Sequence, residues 1–181
     1  MSYTGIVLTE EDGNKSAIAT LEDELSSEKV ETNQELVEKL KEASPDIVAV
    51  NTGLKEMREL SDKEEELQEE GHIFTPASQD TRRVRRFQDL KRRLEQSMAS
   101  EELPEFIRFD AVITGRELAL EDDKGLESLG LETSDINSSK EFDAVLGAVT
   151  ARFHDQGQTE DMGVVVPKAL HEEDEEESKG L

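Results

Sequence analysis

Pro45-Asp46-Ile47-Val48-Ala49-Val50-Asn51-Thr52-Gly53-Leu54 is the stretch whose reading decides the fold. Four apolar residues stand in a row, two of them β-branched valines, entered through a proline and left through Asn-Thr-Gly. No polar position marks a wet face, and that is the pattern of a strand buried on both sides. In an open α/β sheet the loop at the carboxyl end of such a strand is where ligands sit, which puts Asn51, Thr52 and Gly53 in a position to do chemistry. The same residues also read as a polar turn into the next helix.

Working outward toward the N-terminus, Ser2 to Leu8 reads as a strand, Glu11-Asp12-Gly13-Asn14 as a tight turn and Ser16 to Leu21 as the returning strand, so the chain opens with a β-hairpin. A third, short and polar strand is expected around Glu28 to Glu31. Thr32 and Glu35 have capping-box spacing, and Leu36, Val37 and Leu40 form the apolar stripe of a helix that stops before Pro45.

On the other side, Lys55 to Glu70 is a highly charged helical stretch ended by Gly71. Ser78 or Asp80 can cap a helix running to about Met98, with Val84, Phe87, Leu90, Leu94 and Met98 at spacings of three and four. Ile107 to Thr114 reads as a second buried strand. Glu141 to Phe153 is a helix whose Ala144, Gly147, Ala148 and Ala151 allow close packing on a sheet, and Asp143 sits in its first turn, where the helix dipole favours a carboxylate. Gly163 to Pro167 is a last short strand. The predicted architecture is α/β: a mixed sheet opening with an antiparallel hairpin, Asp46 to Asn51 as an inner strand, and helices on both faces. Residues 1–168 form one domain, and 169–181, with six acids in Glu172 to Glu177, are expected to be a disordered acidic tail.

The chain has 181 residues, with 45 Asp and Glu against 21 Lys and Arg, a formal net charge of −24. Self-repulsion on that scale is tolerable where salt screens it, and the spread of the acids with few aromatics suggests a high-salt, halophilic cytoplasm. There is no cysteine, which excludes disulfides and thiolate metal sites. No apolar run reaches membrane-span length and no signal peptide is evident, so a cytoplasmic protein without membrane contact is expected.

Against this acidic background Arg82, Arg83, Arg85, Arg86, Lys91, Arg92 and Arg93 crowd one helix: seven cations meet three acids over residues 79–100, a local +4 that leaves −28 for the remainder. With Val84, Phe87, Leu90 and Leu94 holding the apolar stripe to the core, these cations are expected to face outward together. They form a candidate surface for nucleic acid or for an acidic protein partner; a solvated helix whose arginines pair with nearby acids is the alternative. No phosphate loop, nucleophile motif or metal-ligand spacing is present, and His72, His154 and His171 are far apart in sequence.

The order hairpin, helix, Asp46 to Leu54, then Arg58-x-x-x-Asp62, Gly71 and Pro76, later Glu141-Phe142-Asp143-Ala144 and finally Gly163 to Pro167, resembles a ribonuclease H-like family of predicted nucleases carrying a domain of unknown function. The resemblance implies divalent metals held by an acid on the first strand, an acid after a later strand and an Asp near the last helix, since two-metal phosphoryl transfer needs hard anionic oxygens on both ions. In this chain the corresponding positions are Val7, Asn51 and Thr114, and Asp143 alone keeps a family-like carboxylate. The resemblance therefore implies a degenerate centre, with weak metal binding at Asp143 if any and no cofactor. Two functions follow. One is a non-catalytic module that binds its partner through residues 82–93. The other is an active Mg²⁺- or Mn²⁺-dependent nuclease using Asp143 with acids such as Asp46, Asp62 or Asp110.

Overall fold

The structure, a computed structural model, describes residues 1–168; the expected acidic tail lies outside the described residues. Five strands form the main sheet: β1 (Tyr3–Val7), β2 (Ser16–Leu21), β3 (Leu25–Val30), β4 (Ile47–Val50) and β5 (Glu105–Arg108), in the order β3-β2-β1-β4-β5. The β1–β2 and β2–β3 pairs are antiparallel, and β1–β4 and β4–β5 are parallel. β4 thus lies inside the sheet with all four residues buried, as its unbroken apolar run requires.

Helices cover both faces. On one lie α1 (Asn33–Ala43) and α3 (Thr81–Ser97), whose Leu36, Val37, Leu40, Phe87, Leu90 and Leu94 pack on Ile6, Ile18, Val48 and Val50. On the other lie α5 (Asp123–Ser128) and α6 (Ser139–Asp155), over Tyr3, Val7, Ala17, Ala19, Ala49 and Ile107, with α4 (Ala111–Glu117) packed beside α6. The small residues of α6 act as expected. A Cβ on Gly5 would stand 1.9 Å from the Ala144 carbonyl oxygen, and one on Gly147 3.0 Å from the Gly5 Cα, so helix and central strand meet backbone to backbone. The remaining elements are α2 (Asp62–Glu69) and a separate hairpin of β6 (Thr159–Asp161) with β7 (Val165–Pro167).

Three expectations are corrected. Ile107 to Thr114 is not one strand: β5 ends at Arg108, and Asp110 caps α4, its Oδ1 accepting from the Ile113 N–H at 3.0 Å. The run after it is helical: Val112 is exposed, Ile113 packs with Leu67, Val164 and Val166, and Thr114 meets Thr150 of α6. The charged stretch from Lys55 turns helical only at Asp62, because a complete capping box between Ser61 and Glu64 fixes the start there. The third strand is longer than Glu28 to Glu31, pairing with the whole of β2. Among the described residues no helix is long and apolar enough to cross a membrane.

Candidate functional site

The carboxyl ends of β1, β4 and β5 face the first half of α6, and this is where the positions named from the sequence gather or fail to. Val7 closes β1 and its buried side chain joins the core beneath α6. Asn51 follows β4, and its amide bonds Leu8 at both ends: Oδ1 accepts from the Leu8 N–H at 2.8 Å and Nδ2 donates to the Leu8 carbonyl at 3.4 Å. A carboxylate could make only the first of these bonds. The amide therefore extends the β1–β4 ladder by one rung.

Thr114 is a further correction. It does not end a strand; it sits fully buried in α4, where its hydroxyl meets Thr150 Oγ1 at 2.9 Å and Thr150 in turn donates to the Leu146 carbonyl at 2.8 Å. The polar residue that does follow β5 is Asp110. Burial raises its carboxyl above the ordinary aspartate range, against the N–H bonds from Ile113 and Val112 and the charge of Arg108. Asp143 is also raised, first by burial and then by the neighbouring charge of Asp110. Two carboxylates therefore share this edge.

The other acids named from the sequence are elsewhere. Asp46 accepts from the Ser2 N–H at the opposite end of the sheet, and Asp62 is exposed in the first turn of α2. His72 stands near Asp110, its Nε2 3.8 Å from Glu117 and its Nδ1 without a partner. Among the described residues no three His, Asp or Glu side chains converge on a point that could hold a metal. A valine, an amide bonded to Leu8 and only two carboxylates supply too few anionic oxygens for a two-metal centre, which needs them on both ions.

The basic helix is less uniform than its sequence implies. Arg86 does not face outward. It is buried, donating from Nε to Asn33 Oδ1 (3.0 Å), from Nη1 to Thr9 O (3.1 Å), Thr9 Oγ1 (2.7 Å) and Ser16 Oγ (2.9 Å), and from Nη2 to Glu31 O (3.2 Å). Burial pulls its guanidinium down from the ordinary value while Asp12 opposes that shift. It ties α3 to the opening hairpin, and no surface role remains for it.

Several of the other cations are paired with carboxylates. Arg83 lies 3.4 Å from Asp80, which burial raises and Arg83 and Thr52 hold back. Arg92 and Arg93 share Asp89; burial alone would raise that carboxyl, but hydrogen bonds from Asn33, Arg93 and Arg92 hold it low. Arg85 meets Glu56, and Arg82 lies 3.8 and 3.9 Å from Glu10 and Glu11. Lys91 has no ion-pair partner among the described residues.

One charged pair escaped the sequence reading. Glu64, almost wholly buried, accepts from the Ser61 and Ala77 N–H groups and from Arg108 Nη1 at 3.2 Å, while Arg108 Nη2 donates to the Thr75 carbonyl. Burial would raise Glu64, but those donors hold it below the usual range. The pair ties α2 to β5. Its one sequence signal was the Ser61-x-x-Glu64 spacing.

No family model and no curated protein sequence matches this chain. Solved structures do. RuvC from Thermus thermophilus in complex with a Holliday junction substrate superposes with a TM-score of 0.54 at 15% identity, over 92% of this chain and 99% of that one. A structure of Thermus thermophilus RuvC gives 0.50 at 15% identity over the same shares. At that identity the likeness establishes the fold, which is ribonuclease H-like.

Proposed function

We propose that this chain is a non-catalytic ribonuclease H-like module that binds nucleic acid through the outward face of α3. The observation that carries the first half is the carboxyl edge of the sheet, where Val7 belongs to the core and the Asn51 amide is spent on Leu8. Two repelling carboxylates, Asp110 and Asp143, remain there. For the second half, Arg82, Arg85 and Arg92 are 72%, 68% and 66% exposed, and Lys91 is exposed beside them. Arg82 and Arg85 pair with exposed carboxylates, and such pairs contribute so little that a phosphate can displace them. Arg83 and Arg93 flank this face. The structural neighbour in complex with a Holliday junction substrate favours nucleic acid over an acidic protein surface as the partner.

The test is fluorescence anisotropy with single- and double-stranded DNA and RNA across a salt series, for wild type and for Arg82→Glu/Arg85→Glu/Arg92→Glu. Removing three phosphate contacts should lower the slope of log K against log salt by roughly 3 on duplex DNA, with little dependence on base sequence. Equal, negligible binding by both proteins at the lowest salt that keeps them folded would remove nucleic acid and leave the acidic protein surface.

One observation favours a second reading, a divalent-metal-dependent nuclease: the charge of Asp110 reaches Asp143 and raises it, and a cation between them would relieve the repulsion. Mg²⁺ or Mn²⁺ would then be the cofactor, Asp143 the principal ligand and phosphodiester hydrolysis the reaction. Membership of the predicted-nuclease family, a single domain over 1–168 and a high-salt cytoplasmic setting belong to the same proposal, supported by the motif order and the charge.

A further inference from the structure

A groove of about 630 Å³ runs along the free edge of β5, walled by Leu54, Lys55 and Met57 on one side and by Asp161, Gly163 and Val165 on the other. Its floor is strand backbone. The Glu105 N–H donates to Asp46 and the Phe109 N–H to Val50, so the alternation of a parallel ladder turns the N–H and C=O of Phe106 and Arg108 away from β4 and toward the groove. Among the described residues no group meets them. An exposed sheet edge is a standing invitation to a further strand, and proteins ordinarily blunt it. Here the edge is recessed between those walls over the four residues of β5.

The charges select what that chain is. Two of the groove's three carboxylates are neutralised within the molecule, Glu64 by Arg108 and Asp161 by Lys63, while the third, Glu105, hydrogen-bonds His154. Lys55 and Lys91 line the same groove and have no ion-pair partner among the described residues. In a chain of net charge −24, two unneutralised lysines on one recess are an anion-binding feature. We propose that the β5 groove takes an extended acidic segment of a partner protein, added as a sixth strand, with main-chain bonds to Phe106 and Arg108 supplying affinity and Lys55 and Lys91 supplying the preference for carboxylate side chains. The surface is distinct from the outward arginines of α3, although Lys91 borders both.

The test titrates the full chain with a labelled alternating valine–glutamate hexapeptide, its valine–lysine counterpart, and the acidic peptide N-methylated on alternate amides, which keeps the charge and removes the strand's donors. The acidic peptide should bind, with affinity falling about tenfold on N-methylation and about tenfold for Lys55→Glu, and the basic peptide should not bind. Arg82→Glu/Arg85→Glu/Arg92→Glu should leave peptide affinity unchanged, so this result and the nucleic-acid result can fail separately. Equal affinity for the methylated peptide, equal affinity for the basic one, or no binding at all overturns the proposal; the methylated arm needs no variant and so does not depend on one folding. Zero-length carbodiimide cross-linking of the full chain without peptide decides the occupant. A Lys55 or Lys91 link to a carboxylate of residues 169–181, within one chain or between two copies, would assign the groove to the protein's own acidic segment and overturn the partner assignment.

Discussion

Replacing Arg86 by methionine separates the internal cation of α3 from its surface ones. Methionine keeps most of the aliphatic stem but removes all five donated hydrogen bonds. Asn33 Oδ1 and Ser16 Oγ lie in fully buried bonds; Ser16 Oγ still accepts from the Thr9 N–H, but Asn33 Oδ1 is stranded, and an acceptor left so costs about 1–3 kcal/mol. The Thr9 and Glu31 acceptors are partly buried, so water recovers much of their loss. Relief of the guanidinium's own desolvation offsets part of the total, leaving a net destabilisation of about 3 kcal/mol. At a typical urea dependence of about 2 kcal/mol per molar, the unfolding midpoint should fall by roughly 1.5 M. Arg92→Met, whose side chain is 66% exposed, should cost no more than about 0.5 kcal/mol in the same titration at fixed salt. Equal midpoints for the two variants would refute the assignment of Arg86 as an internal tie.

Two further outcomes follow from the packing and the electrostatics. Gly5→Ala drives a methyl into the Ala144 carbonyl at 1.9 Å, and because both sides of the contact are backbone the helix must lift; a loss of about 3 kcal/mol or more, or failure to fold, is expected, and a variant melting with wild type would contradict the observed packing. Asp110→Asn keeps the α4 cap, since asparagine caps as well as aspartate, and removes the charge that helps raise Asp143. The sign is fixed by linkage. A carboxylate raised in the folded state loses stability as pH climbs from its unfolded value through its folded one, so the variant should gain stability over wild type at neutral pH and the gain should vanish in acid. The Asp143 carboxyl should also titrate at lower pH by NMR; an unchanged Asp143 titration would show that the two do not interact.

The inner strand was legible because Ile47 to Val50 has no polar position, and a strand with both faces covered has no other pattern. The stripe Val84, Phe87, Leu90 and Leu94 and the small residues of α6 were legible for the same reason: helical periodicity names the buried face. Arg86 was misjudged by its charge, although it stands four and eight residues before Leu90 and Leu94, on their row, and its position carried the signal its chemistry hid. Asp110 was misplaced because Ile107 to Thr114 is apolar enough for either a strand or a buried helix, and only the Asp110–Ile113 cap decides between them. Placing Thr114 at a strand end followed from that error and concealed the carboxylate that does follow β5. The groove along β5 was not legible, since its walls come from residues about 50 apart on either side of the strand.

Nuclease activity is the property on which the central claim turns, and one gel assay addresses it. Labelled single-stranded, duplex and four-way-junction DNA, and RNA, are incubated with the full chain and Mn²⁺, then resolved under native and denaturing conditions. With Val7 in the core and the Asn51 amide bonded to Leu8, the nucleic acid should be shifted on the native gel and intact on the denaturing one. Cleavage products that disappear in Asp143→Asn would contradict the account and establish the enzyme.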